Sequence, residues 1–326
     1  MIKIGLVGGG SWGRNLIRNF YELGDLSIIC DNREELRKVY REKYPEVLFM
    51  TDYRELLNSD VDAIVIATPA KLHYEMAKRA ILHDKDVFVE KPLSLNLNDA
   101  DKLVDCAIIN DKILMVGHIL QYHPAVMRLR ELIDNDDLGI IRYIYSNRLN
   151  FGKIRTEENV LWSFAPHDIS VILILLNEMP IYISCAGDSY LQPHEKIADV
   201  TITNLFFKSK VHAHIFVSWL HPFKEQKLIV VGSKSMAVFD DMANDKLVLY
   251  HHSIEWQNKV PIVHKVLGKS IDISELEPLK NECEHFIEVV ENRLQPRTNG
   301  LEGRRVLQIL EKSQESFNKG GEKISV

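Results

Sequence analysis

Apolar and polar positions along the chain follow two different regimes. Over roughly the first 120 residues, short apolar runs alternate with segments of helical spacing. Ile2–Val7 is an apolar strand; a helix-like segment leads from it to a second strand at Leu26–Cys30. A charged helix over Arg33–Tyr44, a short apolar piece at Val47–Met50 and a helical turn at Asp52–Leu57 come next. Ala63–Ala67 reads as a buried strand, Leu72–Leu82 as a helix and Asp86–Val89 as a strand. Residues 98–110 read as a helix and Ile113–Val116 as a further strand. Such alternation predicts a parallel sheet covered by helices.

Past about residue 120 the helices thin out. After a helix at Pro124–Ile133, strand-like runs occupy Ile140–Leu149, Ile181–Ala186, Val200–Phe207, Val211–Trp219, Lys227–Val231, Met236–Asp240 and Lys246–Tyr250. One apolar helix, Ile169–Leu176, interrupts them. Strands in direct succession predict a mainly antiparallel sheet. Two helical stripes close the chain, the first through Cys283, Phe286, Ile287, Val290 and Leu294, the second through Val306, Leu307, Leu310 and Phe317. No flexible linker separates the halves, so a cleft between two tightly joined domains is expected.

The turn after the first strand carries the first chemical signal. Gly8, Gly10 and Gly13 stand in G-x-G-x-x-G spacing, with Ser11 and Trp12 between them. In such a turn the first glycine permits the tight bend, the second lets the backbone approach a pyrophosphate, and the third lets helix and strand pack closely. The N–H groups opening the helix then face the phosphates. Asp31 ends the second strand 18 residues beyond Gly13, near where an acid accepts hydrogen bonds from an adenine ribose. A carboxylate there favours NAD over NADP. Arg33 stands two residues on, where it could hold a 2′-phosphate; its plainer reading is a solvated charge in the run Arg33–Glu35.

Composition narrows the class without naming a chemistry. Hydrophobic residues make up 46% and charged residues 26%, as in ordinary globular proteins. A net charge of −6 gives no reason to expect nucleic acid or an anionic membrane as partner. No apolar run reaches bilayer-spanning length, and the start, Met1-Ile2-Lys3-Ile4, leads directly into a strand, so a cytoplasmic location is expected. Cys30, Cys106, Cys185 and Cys283 lack paired spacing and read as reduced packing residues. His212 and His214 alternate on one strand face, but no third ligand has a convincing spacing, so no metal is expected.

Val89-Glu90-Lys91-Pro92 ends a strand of the nucleotide-binding half, and ligands of open α/β sheets bind beyond such ends. Together with the glycine turn, Ala67-Thr68-Pro69, His73 and Gly117, it resembles the Gfo/Idh/MocA family of NAD(P)-dependent sugar, inositol and sugar-nucleotide oxidoreductases. The resemblance covers essentially the whole chain. It implies an α/β plus α+β architecture: a Rossmann dinucleotide-binding domain over 1–120 and a substrate-binding and oligomerisation domain over 121–326. The second domain is built on a large, open-faced, mainly antiparallel sheet, and the closing helices pack back toward the first. It further implies that Lys91 contacts both the nicotinamide ribose and the substrate, and that Glu90, Thr68, Pro69 and His73 line the cofactor channel. His118, Arg148 and Asn150 become substrate contacts, with Arg148 either suited to a diphosphate or simply solvated at the surface.

The family usually carries D-x-G-x-H-x-x-D at the start of a helix in its second domain. Here the segment is Ser163-Phe164-Ala165-Pro166-His167-Asp168-Ile169-Ser170, which keeps the histidine but puts Ser163 and Ala165 in place of aspartate and glycine. His167 is the candidate base, since imidazole titrates at about 6.5; Ser163 could bond a substrate but carries no charge. The alternative is His167 or Asp168 as N-cap of the Ile169–Leu176 helix. Leu161–Ser170 and Val217–Gln226 resemble a subgroup that modifies bacterial sugar nucleotides. That implies oxidation at C3 of UDP-N-acetylglucosamine, coupled to a PLP-dependent aminotransferase supplying 3-amino sugars for lipid A or surface polysaccharide. The same resemblance suggests a homodimer or homotetramer. Other substrates of the same fold (a UDP-N-acetylhexosaminuronate, inositol or a free sugar) and a non-catalytic NAD(P)-binding module remain open.

Overall fold

The computed structural model describes residues 2–326, which divide into two compact units, 2–122 with 276–307 and 123–275 with 308–326. In the first, six strands form one parallel sheet: β1 (Ile4–Val7), β2 (Leu26–Cys30), β3 (Leu48–Met50), β4 (Ala63–Ile66), β5 (Asp86–Glu90) and β6 (Leu114–Gly117). Their order is β3-β2-β1-β4-β5-β6, so the chain reverses direction of growth between β3 and β4. The intervening helices are α1 (Gly13–Glu22), α2 (Leu36–Lys43), α3 (Tyr53–Leu57), α4 (His73–Leu82) and α5 (Leu97–Ile109). β1, β4, β5 and β6 are buried throughout, which is why they read as continuous apolar runs rather than alternating ones.

The other unit opens with α6 (Pro124–Asp134), β7 (Ile141–Leu149) and α7 (Val160–Leu176). Then come β8 (Pro180–Asp188), β9 (Val200–Phe207), β10 (His212–Ser218), β11 (Glu225–Gly232), β12 (Met236–Asp240) and β13 (Leu247–Tyr250). A hairpin, β14 (Ser253–Gln257) with β15 (Val260–His264), stands apart, and β16 (Lys269–Ser270) returns to the sheet. After α8 (Pro278–Asn292) and α9 (Gly300–Asn318), β17 (Ile324–Ser325) completes nine strands ordered β16-β13-β12-β11-β7-β10-β9-β8-β17. The sheet is antiparallel as predicted except at its centre, where β7 and β10 run parallel. β7 alternates along its length, with Ile144 and Ser146 fully buried beneath α7 and Tyr143 and Tyr145 half-buried on the opposite face. On that opposite face Tyr143, Tyr145, Phe206, His212 and His214 form a patch of ring contacts.

Helix α7 and one hairpin depart most from expectation. The apolar helix begins at Val160, nine residues before Ile169, because Asn159 caps it by accepting from the Trp162 N–H at 3.1 Å. Pro166 therefore lies inside α7, and neither His167 nor Asp168 is an N-cap. The hairpin at 253–264 was not expected from the strand pattern, and both of its strands are largely exposed.

The closing helix α8 is part of the first unit. Phe286 is fully buried and meets Phe20 of α1 and Phe88 of β5 edge-on, at centroid distances of 6.3 and 5.6 Å. Phe286→Ala should therefore destabilise the nucleotide-binding unit by about 3–5 kcal/mol. Its urea midpoint, followed against wild type, checks this; an unchanged midpoint would mean that α8 contributes little to that core.

Candidate active site

The glycine turn has the shape a dinucleotide requires. Gly8 sits at φ +100°, and a Cβ there would lie 2.6 Å from the Ala67 carbonyl oxygen. At Gly13 a Cβ would fall 1.8 Å from the Gly8 oxygen, so helix α1 could not approach β1 with any side chain at that position. Gly10 differs: nothing lies within 4 Å of the place its Cβ would take. Two glycines are thus required by the chain itself, and the third leaves bare backbone facing open space, a cradle suited to pyrophosphate.

Asp31 is buried and accepts the Gly9 N–H at 2.7 Å, tying the end of β2 to the turn. Tyr40 holds the same residue from its other end by donating to the Gly9 carbonyl at 2.8 Å. Arg33 is exposed, as its plainer reading suggested, but it is also paired. Its guanidinium grips Asp31 through Nε and Nη2, at 2.8 and 2.7 Å. Burial alone would raise the Asp31 carboxyl, but the bonds from Arg33 and Gly9 outweigh it and hold the group below its ordinary range. The acid is charged and fixed in place, as recognition of a ribose diol requires. These residues fit NAD.

At the neighbouring strand ends, Thr68 and Pro69 follow β4, Glu90 and Lys91 close and follow β5, and His118 follows β6. His73 joins two of these ends. Its Nδ1 lies 2.7 Å from the Pro92 carbonyl oxygen and its Nε2 2.8 Å from that of Thr68. His73 is 1% exposed, so it braces the turn holding Thr68 against the segment holding Lys91 and leaves little of itself for a ligand. The Lys91–Pro92 peptide is cis. His118 is buried, and burial, with the Lys91 charge adding, lowers it to about 3, so it is a neutral ring.

In the other unit, His167 lies in the turn of α7 following Pro166 and is partly accessible; Ser163, one turn earlier, is buried. Asp168 points into the sheet, where it accepts from Ser146 Oγ at 2.6 Å and from Arg148 Nε and Nη2 at 2.7 and 3.2 Å. Gln226, with its amide turned to suit its neighbours, accepts from Arg148 Nη1 at 3.1 Å and donates to Asp241 at 2.8 Å. Arg148 is therefore not an open cation awaiting a diphosphate. Its side chain is 10% exposed and its donors are engaged inside the unit, anchoring the helix that bears His167. The signal was present in the sequence: Asp168 follows the motif histidine directly, and an acid on an apolar helix needs a buried partner. Asn150 is half-buried just past β7, held by its backbone N–H to Ser218.

The paired histidines are also accounted for. His214 contacts the Tyr143 hydroxyl through Nδ1, and His212 Nε2 lies 3.3 Å from Asn204. The four cysteines are free thiols. Among the described residues no helix is long and apolar enough to cross a membrane.

Comparison with known proteins bears on the family and the fold. Residues 2–118 match the oxidoreductase family with NAD-binding Rossmann fold, GFO_IDH_MocA, and residues 126–238 match the GFO/IDH/MocA C-terminal domain. A UDP-N-acetylglucosamine 3-dehydrogenase from Acidithiobacillus ferrooxidans is 25% identical over 312 residues, 94% of each chain. An uncharacterised oxidoreductase from Streptococcus pneumoniae is 27% identical over 282 residues, 81% of this chain and 74% of its own. A solved structure of the Acidithiobacillus enzyme superposes with a TM-score of 0.86 over 98% of both chains, at 22% identity.

Removing the Asp168 carboxylate would leave Arg148 buried without its counter-charge. Asp168→Ala is expected to cost about 3–5 kcal/mol in chemical unfolding, whereas the double change Arg148→Met with Asp168→Leu should recover most of that loss. A single variant as stable as wild type would show that the pair does not anchor α7.

Proposed function

The chain belongs to the Gfo/Idh/MocA oxidoreductase family, and we propose that it oxidises a ring hydroxyl of a sugar nucleotide, C3 of UDP-N-acetylglucosamine. That it is an NAD-binding oxidoreductase follows from the family. The substrate is our reading, carried by the 25% identity that runs through 94% of a dehydrogenase named for it, in both nucleotide-binding and second domains.

On this reading NAD⁺, when bound, accepts the hydride from the carbinol carbon. Asp31 would hold the adenine ribose, with Arg33 paired to that carboxylate rather than left as a free cation for a 2′-phosphate. Gly8, Gly10, Ser11, Trp12 and Gly13 would seat the pyrophosphate side of the cofactor. Lys91 would contact the reacting oxygen, orient it and stabilise negative charge developing there. His167 would take the hydroxyl proton. Ser163, His118 and Asn150 would offer hydrogen bonds to the substrate without adding charge. Arg148 acts one step back, by holding Asp168 and so the turn that presents His167.

On the same reading the 3-keto product would be consumed by an amino-transfer reaction of a PLP-dependent aminotransferase, and we take the setting to be the cytoplasm. The patch of tyrosines, histidines and Phe206 on the face opposite α7 supports assembly into a homodimer or homotetramer, since ring surface of this kind is commonly covered.

The test is reduction of NAD⁺ by the purified protein with UDP-N-acetylglucosamine, the ketone being trapped by an aminotransferase with glutamate or by a carbonyl reagent. Product should form and fall by about 10²–10⁴-fold in His167→Ala, with NAD⁺ binding retained; Lys91→Ala should be similarly impaired. Cofactor binding without product, while the trap works on a control ketone, would overturn the substrate.

A further inference from the structure

One carboxyl connects the glycine turn to the strand end that carries Lys91. Glu90 is 8% exposed. Its Oε1 accepts from Trp12 Nε1 at 2.5 Å, and its Oε2 from the Lys91 backbone N–H at 3.3 Å. Space for this carboxyl exists because residue 117, its neighbour across the sheet, is glycine. A Cβ there would lie 3.0–3.1 Å from the carboxyl atoms. From the opposite direction α8 packs across residues 119–122, just beyond His118, and presents Glu282. Glu282 is wholly buried, and neither of its oxygens has a hydrogen-bond partner.

Two carboxyls in so dry an interior cannot both be charged. Glu282 has no donor to stabilise a carboxylate and keeps its proton. Glu90 has the indole and a backbone N–H aimed at it, with the Lys91 ammonium adjacent, and is the one that ionises.

We propose that Glu90 is a positioning residue whose carboxylate ties the Trp12 indole to the Lys91 backbone, so that the glycine turn and the lysine keep their places together. Nothing in this tie depends on the identity of the sugar. It bears on catalysis only through the reading of Lys91 given above.

The groups around Glu90 are Trp12 at the start of α1, Lys91 beside it, His118 after β6, and Glu282 on α8, which itself faces Tyr122 and Cys283. Burial raises the Glu90 carboxyl to about 7, against the opposing pull of the Trp12 bond and the Lys91 charge. For an acid so raised, the carboxylate dominates above that pH and disappears below it, so the tie loosens on acidification.

The measurement is the indole N–H proton resonance of Trp12 in the full-length, cofactor-free protein, assigned by its loss in Trp12→Phe and followed across neutral pH. We expect a single transition centred near 7 that is absent in Glu90→Gln and moves to higher pH in Lys91→Ala, where a favourable cation has been removed. NAD⁺ affinity, measured by calorimetry, should fall roughly ten-fold on the acid side of that transition, the scale of one charge-assisted hydrogen bond. A resonance that stays flat in wild type, or a transition that persists in Glu90→Gln, would overturn the proposal. The wild-type titration decides even if Glu90→Gln fails to fold. Turnover that survives Lys91→Ala would sink the catalytic role of the lysine and leave the tie intact.

Discussion

No side chain fits between the first strand and the helix that follows it. With a Cβ at residue 13 only 1.8 Å from the Gly8 carbonyl oxygen, close packing of α1 on β1 demands glycine there. Much of the nucleotide-binding unit depends on that contact. It brings the open end of α1 to the end of the sheet and sets the Gly9 peptide where Asp31 and Tyr40 each take one of its polar groups. It also places Trp12 within reach of Glu90, two strands away in the sheet order. A steric requirement at one residue thus fixes the cofactor turn, the ribose acid and the neighbourhood of Lys91 together.

The second unit meets a different constraint. Helix α7 covers one face of a large sheet, and charge is buried between them: Asp168 of α7 meets Arg148 and Ser146 of β7, linked through Gln226 to Asp241 and from there to His123 and Lys246. Burying an ion pair contributes little net stability compared with an apolar pair of the same size, while breaking it is expensive. Such a network gives a fixed position, because a helix held by a two-pronged guanidinium contact cannot slide by a residue without leaving charge exposed to a dry interior. The residue held is the immediate neighbour of His167.

The sequence reads well where one physical cause acts alone. Apolar runs located every strand of the parallel sheet, and the glycine spacing located the turn, because both patterns arise from local sterics and burial. It reads poorly where the deciding partner is distant in sequence. Arg148 looked like an open cation because its partner Asp168 stands on another element. Pro166 masked the first nine residues of α7, since a proline normally ends a helix; here the segment is buried against β7, β9 and β10 and tolerates the lost N–H. The hairpin at 253–264 turns through Asn258 and Lys259, both at positive φ, and lysine is not the residue that marks such a turn.

The same charge accounting explains a departure from the family pattern. Where relatives usually place an aspartate ahead of the motif histidine, this chain has Ser163, 2% exposed on α7. A carboxylate at that depth requires a cation, and the cation beneath this helix, Arg148, already serves Asp168 and Gln226. A second acid would have to stay protonated or pull the guanidinium from Asp168 and loosen the turn that presents His167. Serine avoids both outcomes, since its hydroxyl gives and takes hydrogen bonds without needing a counter-charge. The substitution is therefore consistent with a working proton acceptor at His167: it leaves the Arg148–Asp168 pair undivided.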